Sequence, residues 1–163
     1  MTTNLSVIGL GVVGSAIFET LKEKQYNVIG YDKFKNGGIG KIEDCLQSDI
    51  IFLCLPTPYS YKLEDYDLSP LNDVISKLSE LDYNGIVLIK STVNPGTSEK
   101  FSKVYSNINI VHNPEFLTAR NAKEDFLNQT QIVLGKTENC DLKKFEMLVN
   151  FYQINWPDSI LSI

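Results

Sequence analysis

A chain of 163 residues is long enough for one domain that buries about two-thirds of its unfolded surface, so it needs no disulfide or metal to hold it. Its 15 basic and 20 acidic residues give a net charge of −5 and a pI near 4.9, which excludes a long-range field recruiting nucleic acid or an anionic membrane. Its three cysteines, Cys45, Cys54 and Cys140, form neither a metal-type pair nor an even disulfide set, which argues for a reducing cytoplasm and against zinc or another metal.

The N-terminus lacks the basic start of a signal peptide, and its apolar stretch is broken by Gly9, Gly11 and Gly14. No run reaches the ~20 residues needed to span a bilayer. Further on, apolar runs rich in β-branched residues alternate with segments of helical period, the pattern of a parallel sheet with crossover helices. Six runs read as strands: roughly Leu5–Ile8, Asn27–Tyr31, Asp49–Leu55, Ile86–Lys90, Ile108–His112 and Gln131–Leu134. Most lack polar alternation, as strands covered on both faces do. The first helix gathers Val13, Ala16, Ile17, Thr20 and Leu21 on one face, and a later one Leu71, Val74, Ile75 and Leu78. The last gathers Leu142, Phe145, Leu148, Val149 and Tyr152. Ser69-Pro70 and Asn94-Pro95 read as helix starts or turns, Pro being tolerated in a first turn. The longest loop, Thr57–Asp67, carries three tyrosines and reads either as a lid or as an ordinary crossover connection. After Tyr152 the residues QINWPDSILSI form either a last short strand closing the sheet or the stub of a connection to something absent. No repeat or internal linker divides the chain. The expectation is one α/β domain over residues 1–163, doubly wound and of Rossmann type, with a mainly parallel six-stranded sheet and helices on both faces.

The chemistry begins where the first strand runs into Gly9-Leu10-Gly11-Val12-Val13-Gly14, a G-x-G-x-x-G between a strand and an amphipathic helix. Gly9 permits the tight turn, Gly11 lets a pyrophosphate approach the backbone, Gly14 allows close packing of helix on strand, and the helix N-terminus supplies amides and positive dipole. The second strand ends at Tyr31-Asp32, where a carboxylate takes the adenosine ribose hydroxyls and repels a 2′-phosphate. Together they favour NAD over NADP, with Lys33 and Lys35 leaving room for NADP. The next strand ends in Cys54-Leu55-Pro56-Thr57-Pro58, and the one after in Lys90-Ser91-Thr92-Val93-Asn94-Pro95-Gly96-Thr97. Both place hydroxyls and rigid turns beyond C-terminal strand ends, the edge where open α/β sheets bind ligands, although helix capping and turn formation account for the same residues. Asn113-Pro114-Glu115-Phe116-Leu117 follows the fifth strand on that edge, so Glu115 is placed to face a nicotinamide site.

These blocks in this order resemble the UDP-glucose/GDP-mannose dehydrogenases, which oxidise the primary alcohol of a nucleotide sugar to a carboxylate with two NAD. The resemblance rests on GLGVVG at 9–14, Asp32, CLPTP at 54–58, STVNPGT at 91–97 and NPEFL at 113–117, then Ala122, Asp125, Phe126 and IVLG at 132–135. It implies that Gly9, Gly11, Val12, Val13 and Gly14 hold the pyrophosphate and Asp32 the ribose. Pro56, Thr57, Ser91 and Thr92 belong to the blocks that approach cofactor or catalytic water. Glu115 is implied as the acid–base or water-positioning residue, with Thr92 as its catalytic companion; hydride removal needs a proton acceptor and thioester hydrolysis a directed water. UDP-glucose or a related nucleotide sugar is the implied substrate of a complete enzyme.

The departures matter as much. A tyrosine often follows the second glycine of the family's loop, and here it is Val12. The connection from Asp32 to the third strand is much shorter than usual, so one cofactor-facing segment is missing or replaced by KFKNGGIGK. Where many members have R-E-G after NPEFL, this chain has Thr118-Ala119-Arg120, so Arg120 is either a sugar or phosphate contact or a surface residue. His112 reads as a strand-end residue with a satisfied ring. The family's Cys nucleophile, in a G-F-G-G-x-C block with Lys, Asn and Asp partners, has no counterpart, so the covalent step of a four-electron oxidation lacks its thiolate. The expectation is a cytoplasmic, monomeric NAD-binding domain, inactive alone, whose substrate-binding half is supplied covalently or by another chain. The alternative is a stand-alone non-catalytic NAD-binding or protein-interaction module.

Overall fold

The computed structural model describes residues 3–62 and 64–163. In chain order the elements are β1 (Leu5–Ile8), α1 (Val12–Glu23), β2 (Val28–Tyr31), 3₁₀ turns at Lys35–Gly37 and Ile42–Gln47, β3 (Ile50–Leu53), β4 (Tyr59–Ser60), β5 (Asp65–Tyr66) and α2 (Ser69–Glu80). They continue with β6 (Ile86–Ile89), α3 (Thr97–Val104), β7 (Asn109–His112), α4 (Ala122–Leu127), β8 (Gln131–Val133), β9 (Gly135–Lys136), α5 (Leu142–Asn155) and β10 (Ile160–Ser162).

The central strands carry apolar side chains on both faces, and the period-two alternation of a strand sorts them into two cores. Leu5, Val7, Ile50, Phe52, Ile86, Leu88 and Val111 point to the side where α1, α4 and α5 bring Ile17, Leu21, Phe126, Leu148 and Phe151. Their neighbours Ile8, Ile51, Leu53, Val87, Ile89 and Ile110 point to the other, against Leu71, Ile75 and Leu78 of α2 and the Ile42–Gln47 turn, with Phe101 of α3 packed at the margin. The result is a six-stranded sheet in the order β2-β1-β3-β6-β7-β9. All its pairings are parallel except that of β9, which runs antiparallel to β7. After β1 the chain builds outward to β2 and then crosses back to β3, so the end of β1 lies at the reversal of strand order, where a crevice opens at the carboxyl edge.

The sixth strand is not the expected one. Gln131–Val133 pairs in parallel with Ile160–Ser162 in a separate two-stranded ladder. Gly135–Lys136 takes the edge position beside Val111 and His112. Ile132 and Leu134 are buried in the α1/α5 core, and the chain then brings Gly135 beside His112 in the antiparallel pairing. The tail after Tyr152 thus continues α5 to Asn155 and then forms a short strand, though not one in the main sheet.

α5 turns most of the expected face inward, with Phe145, Leu148 and Tyr152 buried and Val149 packed against the core. Leu142 is 65% exposed and Val149 half-buried, whereas Phe151 is buried with its ring edge-on to Tyr26, Phe52, Tyr152 and Trp156. Aromatic rings beside Leu148 and Val149 fix this helix on the sheet.

Candidate functional site

At the end of β1 the chain turns through Gly9 with φ of +87°, a region that disfavours any side chain. A Cβ there would also lie 2.4 Å from the Cys54 carbonyl oxygen. Gly14 is closed more tightly, since its Cβ would fall 1.8 Å from the Gly9 carbonyl oxygen. These two contacts bring α1 against the ends of β1 and β3. Gly11 between them is exposed, with nothing within 4 Å of where a Cβ would stand. It is the N-cap of α1, and no side chain caps that terminus. The first amides of α1 therefore have no intrahelical acceptor and face open space with the positive end of the helix dipole behind them.

Asp32 follows β2 directly. Its Oδ2 accepts from the Leu10 amide at 2.7 Å and its Oδ1 from the amides of Phe34 and Lys35, each at 2.9 Å. Burial pushes this carboxyl up, but the amides of Lys35, Phe34 and Leu10 with the Lys35 charge outweigh it and hold the group below the ordinary carboxylate range. It is a fixed anion tied to the glycine loop. Around it opens a cleft of about 1170 Å³, bounded by the glycine loop, Tyr31 to Lys35, Cys54 to Pro56 and the first turns of α2.

Of the residues expected to hold a cofactor, Gly9, Gly11, Val12, Val13, Asp32 and Pro56 line this cleft, and Gly14 packs beneath it. The other four lie outside its lining. Ser91 Oγ donates to the Leu55 carbonyl at 2.7 Å and accepts from the Leu55 amide at 3.0 Å, so it ties the end of β3 to that of β6. Thr57 Oγ1 donates to the Thr92 carbonyl at 2.6 Å, linking the two loops and leaving Thr92 exposed. The long loop is a short hairpin, β4 against β5, held to the Thr92 loop by Asn94 Nδ2 donating to Asp65 Oδ1 at 2.7 Å. That is an anchored crossover connection.

Glu115 lies in a second cleft, of about 420 Å³, which it shares with Lys90, Phe116, Asp125 and Gln131. It is half-buried, and Oε2 accepts from the Leu117 amide at 3.1 Å. Beneath it sits a network the sequence did not single out. Lys90 Nζ donates to Asn113 Oδ1 at 2.8 Å, Tyr152 Oη donates to the same oxygen at 2.5 Å, and Asn113 Nδ2 donates to the Val133 carbonyl at 2.8 Å. All three side chains are buried. Burial pulls the Lys90 ammonium down to about 8, against the charges of Cys54 and Glu115. Burial likewise pushes the Cys54 thiol up to about 12, with Lys90 opposing and Glu115 assisting. Cys54 lines the larger cleft and Lys90 the smaller, and the two side chains interact electrostatically.

His112 does not have the satisfied ring its position suggested. It bonds to the Ser91 backbone, but Nε2 is buried without a partner. Burial pushes the ring down, the Ser91 bond pulls it up and the Lys90 charge pushes it down again, with a net lowering. Arg120 is exposed in the turn before α4. Among the described residues no group of His, Cys, Asp and Glu is arranged to hold a metal, and no helix is long and apolar enough to cross a membrane.

A doubly wound sheet with a glycine turn and an anchored carboxylate at its reversal point defines a dinucleotide-binding domain. The chain belongs to the UDP-glucose/GDP-mannose dehydrogenase family, matching that family's NAD binding domain over residues 40–154. It is 30% identical over 92% of its length to an uncharacterised protein of Methanocaldococcus jannaschii, covering 20% of that protein. To the UDP-N-acetyl-D-mannosamine dehydrogenase of Pyrococcus horikoshii it is 25% identical over 83% of its length, covering 42% of the relative. The solved UDP-glucose dehydrogenase of Pyrobaculum islandicum superposes with a TM-score of 0.82 at 22% identity, over 99% of this chain and 46% of that one. The chain thus spans less than half the length of the relatives it matches.

NAD is the cofactor of this domain, and the residues present fit it. Gly11 leaves the open approach a pyrophosphate needs, α1 offers unpaired amides, and Asp32 stands as a carboxylate beside them. The family match begins at residue 40, so the glycine loop and Asp32 lie ahead of the matched segment.

Proposed function

We propose that these residues form the cofactor half of a nucleotide-sugar dehydrogenase that oxidises a sugar primary alcohol, with UDP-glucose or a close relative as substrate. The observation that carries this reading is a pair of clefts, one lined by the glycine loop, Asp32 and Cys54 and one by Lys90 and Glu115, with Cys54 and Lys90 interacting electrostatically. Bound in the first, NAD supplies the hydride acceptor. Glu115 takes the alcohol proton or directs a water in the second, and Thr92, exposed at the same sheet edge, contacts the reacting group.

The covalent step comes from elsewhere. Oxidation past the aldehyde uses a thiolate nucleophile, and none of these cysteines is suited to the part: burial pushes the Cys54 thiol up to about 12 and raises those of Cys45 and Cys140 as well. The nucleophile is supplied from outside residues 1–163, by covalent continuation or by a second chain. Incubated with NAD and UDP-glucose, the 163-residue chain is expected to bind the first and produce no NADH by absorbance. Steady NADH production would overturn the assignment of the nucleophile to another segment, and a failure to bind NAD would overturn the reading as a whole. The same raised thiols support a second reading, a module that binds NAD without catalysis; recovery of NADH formation on adding a segment that carries the family's Cys block decides against it.

A further inference from the structure

Resting on the reading of the larger cleft as the NAD site, the turn after Asp32 brings a cation to the glycine loop. The chain reverses between Asp32 and Ile39, which pair through Asp32 N–H to the Ile39 carbonyl at 3.0 Å and Ile39 N–H to the Asp32 carbonyl at 2.8 Å. Asn36, Gly37, Gly38 and Gly40 all have positive φ, which makes so tight a reversal possible. The turn sets Lys35 back over the glycine loop. Its Nζ lies 2.6 Å from the Leu10 carbonyl and 2.9 Å from Ser15 Oγ, while its own amide bonds Asp32 Oδ1. The ammonium is therefore held on the side of the loop where the first turn of α1 begins. Lys33, the other cation lining the cleft, has its Nζ 5.3 Å from the centroid of the exposed Phe34 ring instead.

We propose that Lys35, supplied by the Lys33–Gly40 turn, is the counter-cation of the dinucleotide diphosphate. A diphosphate carries two negative charges, and the helix terminus behind it offers only about half a positive one. The neighbouring Asp32 carboxylate and the chain's net charge of −5 work against an anion. A cation tethered at the loop offsets both. An ammonium has three donors, and Leu10 and Ser15 take two, which leaves one for a phosphate oxygen without breaking either contact. Because Lys35 is tied to the glycine loop, it gives no preference to a 2′-phosphate at the ribose.

The experiment is a calorimetric titration of the full chain and of Lys35→Gln with NAD, ADP-ribose and NADP, at about 50 and about 300 mM salt. The expected result is a loss of roughly three- to tenfold for both NAD and ADP-ribose, which share the diphosphate, with a weaker salt dependence in the variant and recovery in Lys35→Arg. Unchanged NAD affinity and salt dependence would overturn the assignment, and so would a loss confined to NADP, which would make Lys35 a reader of the 2′-phosphate. Absence of NAD binding by the unsubstituted chain would instead remove the cofactor reading on which the assignment rests.

Discussion

Asp32 shows how one carboxylate serves both fold and ligand. Its oxygens accept three amides that fix the glycine loop against the following turn, and in the proposed NAD site the same fixed charge takes the adenosine ribose hydroxyls. Asp32→Ala is expected to weaken NAD roughly tenfold or more, as loss of hydrogen bonds to a charged group does, and to narrow the preference over NADP. Glu115→Ala, in the other cleft, leaves NAD affinity nearly unchanged; equal losses in calorimetry would show the two clefts to be wrongly assigned. Lys90 gives a second prediction. With a folded pKa of about 8 against an ordinary 10.5, it leaves the unfolded chain the more protonated between those values, so its contribution to stability rises with pH across that window. Below pH 8 both states hold the ammonium and the burial cost stands in full. Cys54 acts in the opposite sense above pH 9, because the folded thiol keeps its proton to about 12. Urea unfolding of the unsubstituted chain and of Lys90→Met isolates the lysine. From about pH 7.5 to about pH 9 the unsubstituted chain gains roughly 1 kcal/mol on the variant, and a constant difference would contradict the burial of a charged Lys90.

At the scale of elements, strands were legible where a doubly covered strand leaves an unbroken apolar run. Ile50–Leu53 and Ile86–Ile89 are buried at every residue, and nothing but a central strand explains such runs. The edge was not legible. Gln131–Leu134 has the composition of a strand, yet its partner is Ile160–Ser162, and it is Gly135 and Lys136 that pair with His112 and Val111, over twenty residues away, at the edge of the main sheet. The face of α5 was legible at Phe145, Leu148, Val149 and Tyr152, while Leu142 stays exposed and Phe151, off the expected stripe, is buried. Phe151→Ala is accordingly expected to cost about 3–5 kcal/mol in denaturant unfolding, since the cavity opens between four rings, whereas Leu142→Ala falls within about 0.5 kcal/mol. Comparable effects at the two positions would place α5 wrongly on the sheet. The site divides along similar lines. The glycine loop and Asp32 are local in sequence and could be read directly. The Lys90 ammonium is met by Asn113, 23 residues on, and Asn113 in turn by Tyr152, 39 residues further, so nothing local to the end of the Ile86–Lys90 run marks this network.

At the scale of the whole molecule, the sheet reversal, the glycine turn and the tethered Lys35 converge on one cleft, while Lys90, Asn113 and Glu115 build its neighbour. The chain spans less than half of its dehydrogenase relatives, and the account assigns it their cofactor half. The most direct test is a calorimetric titration of the 163-residue chain with NAD and, in parallel, with NADP. The account predicts saturable binding of one NAD per chain with NADP markedly weaker. Failure to bind NAD at millimolar concentration, or a preference for NADP, would contradict the central claim that residues 9–14 and Asp32 form a competent NAD site.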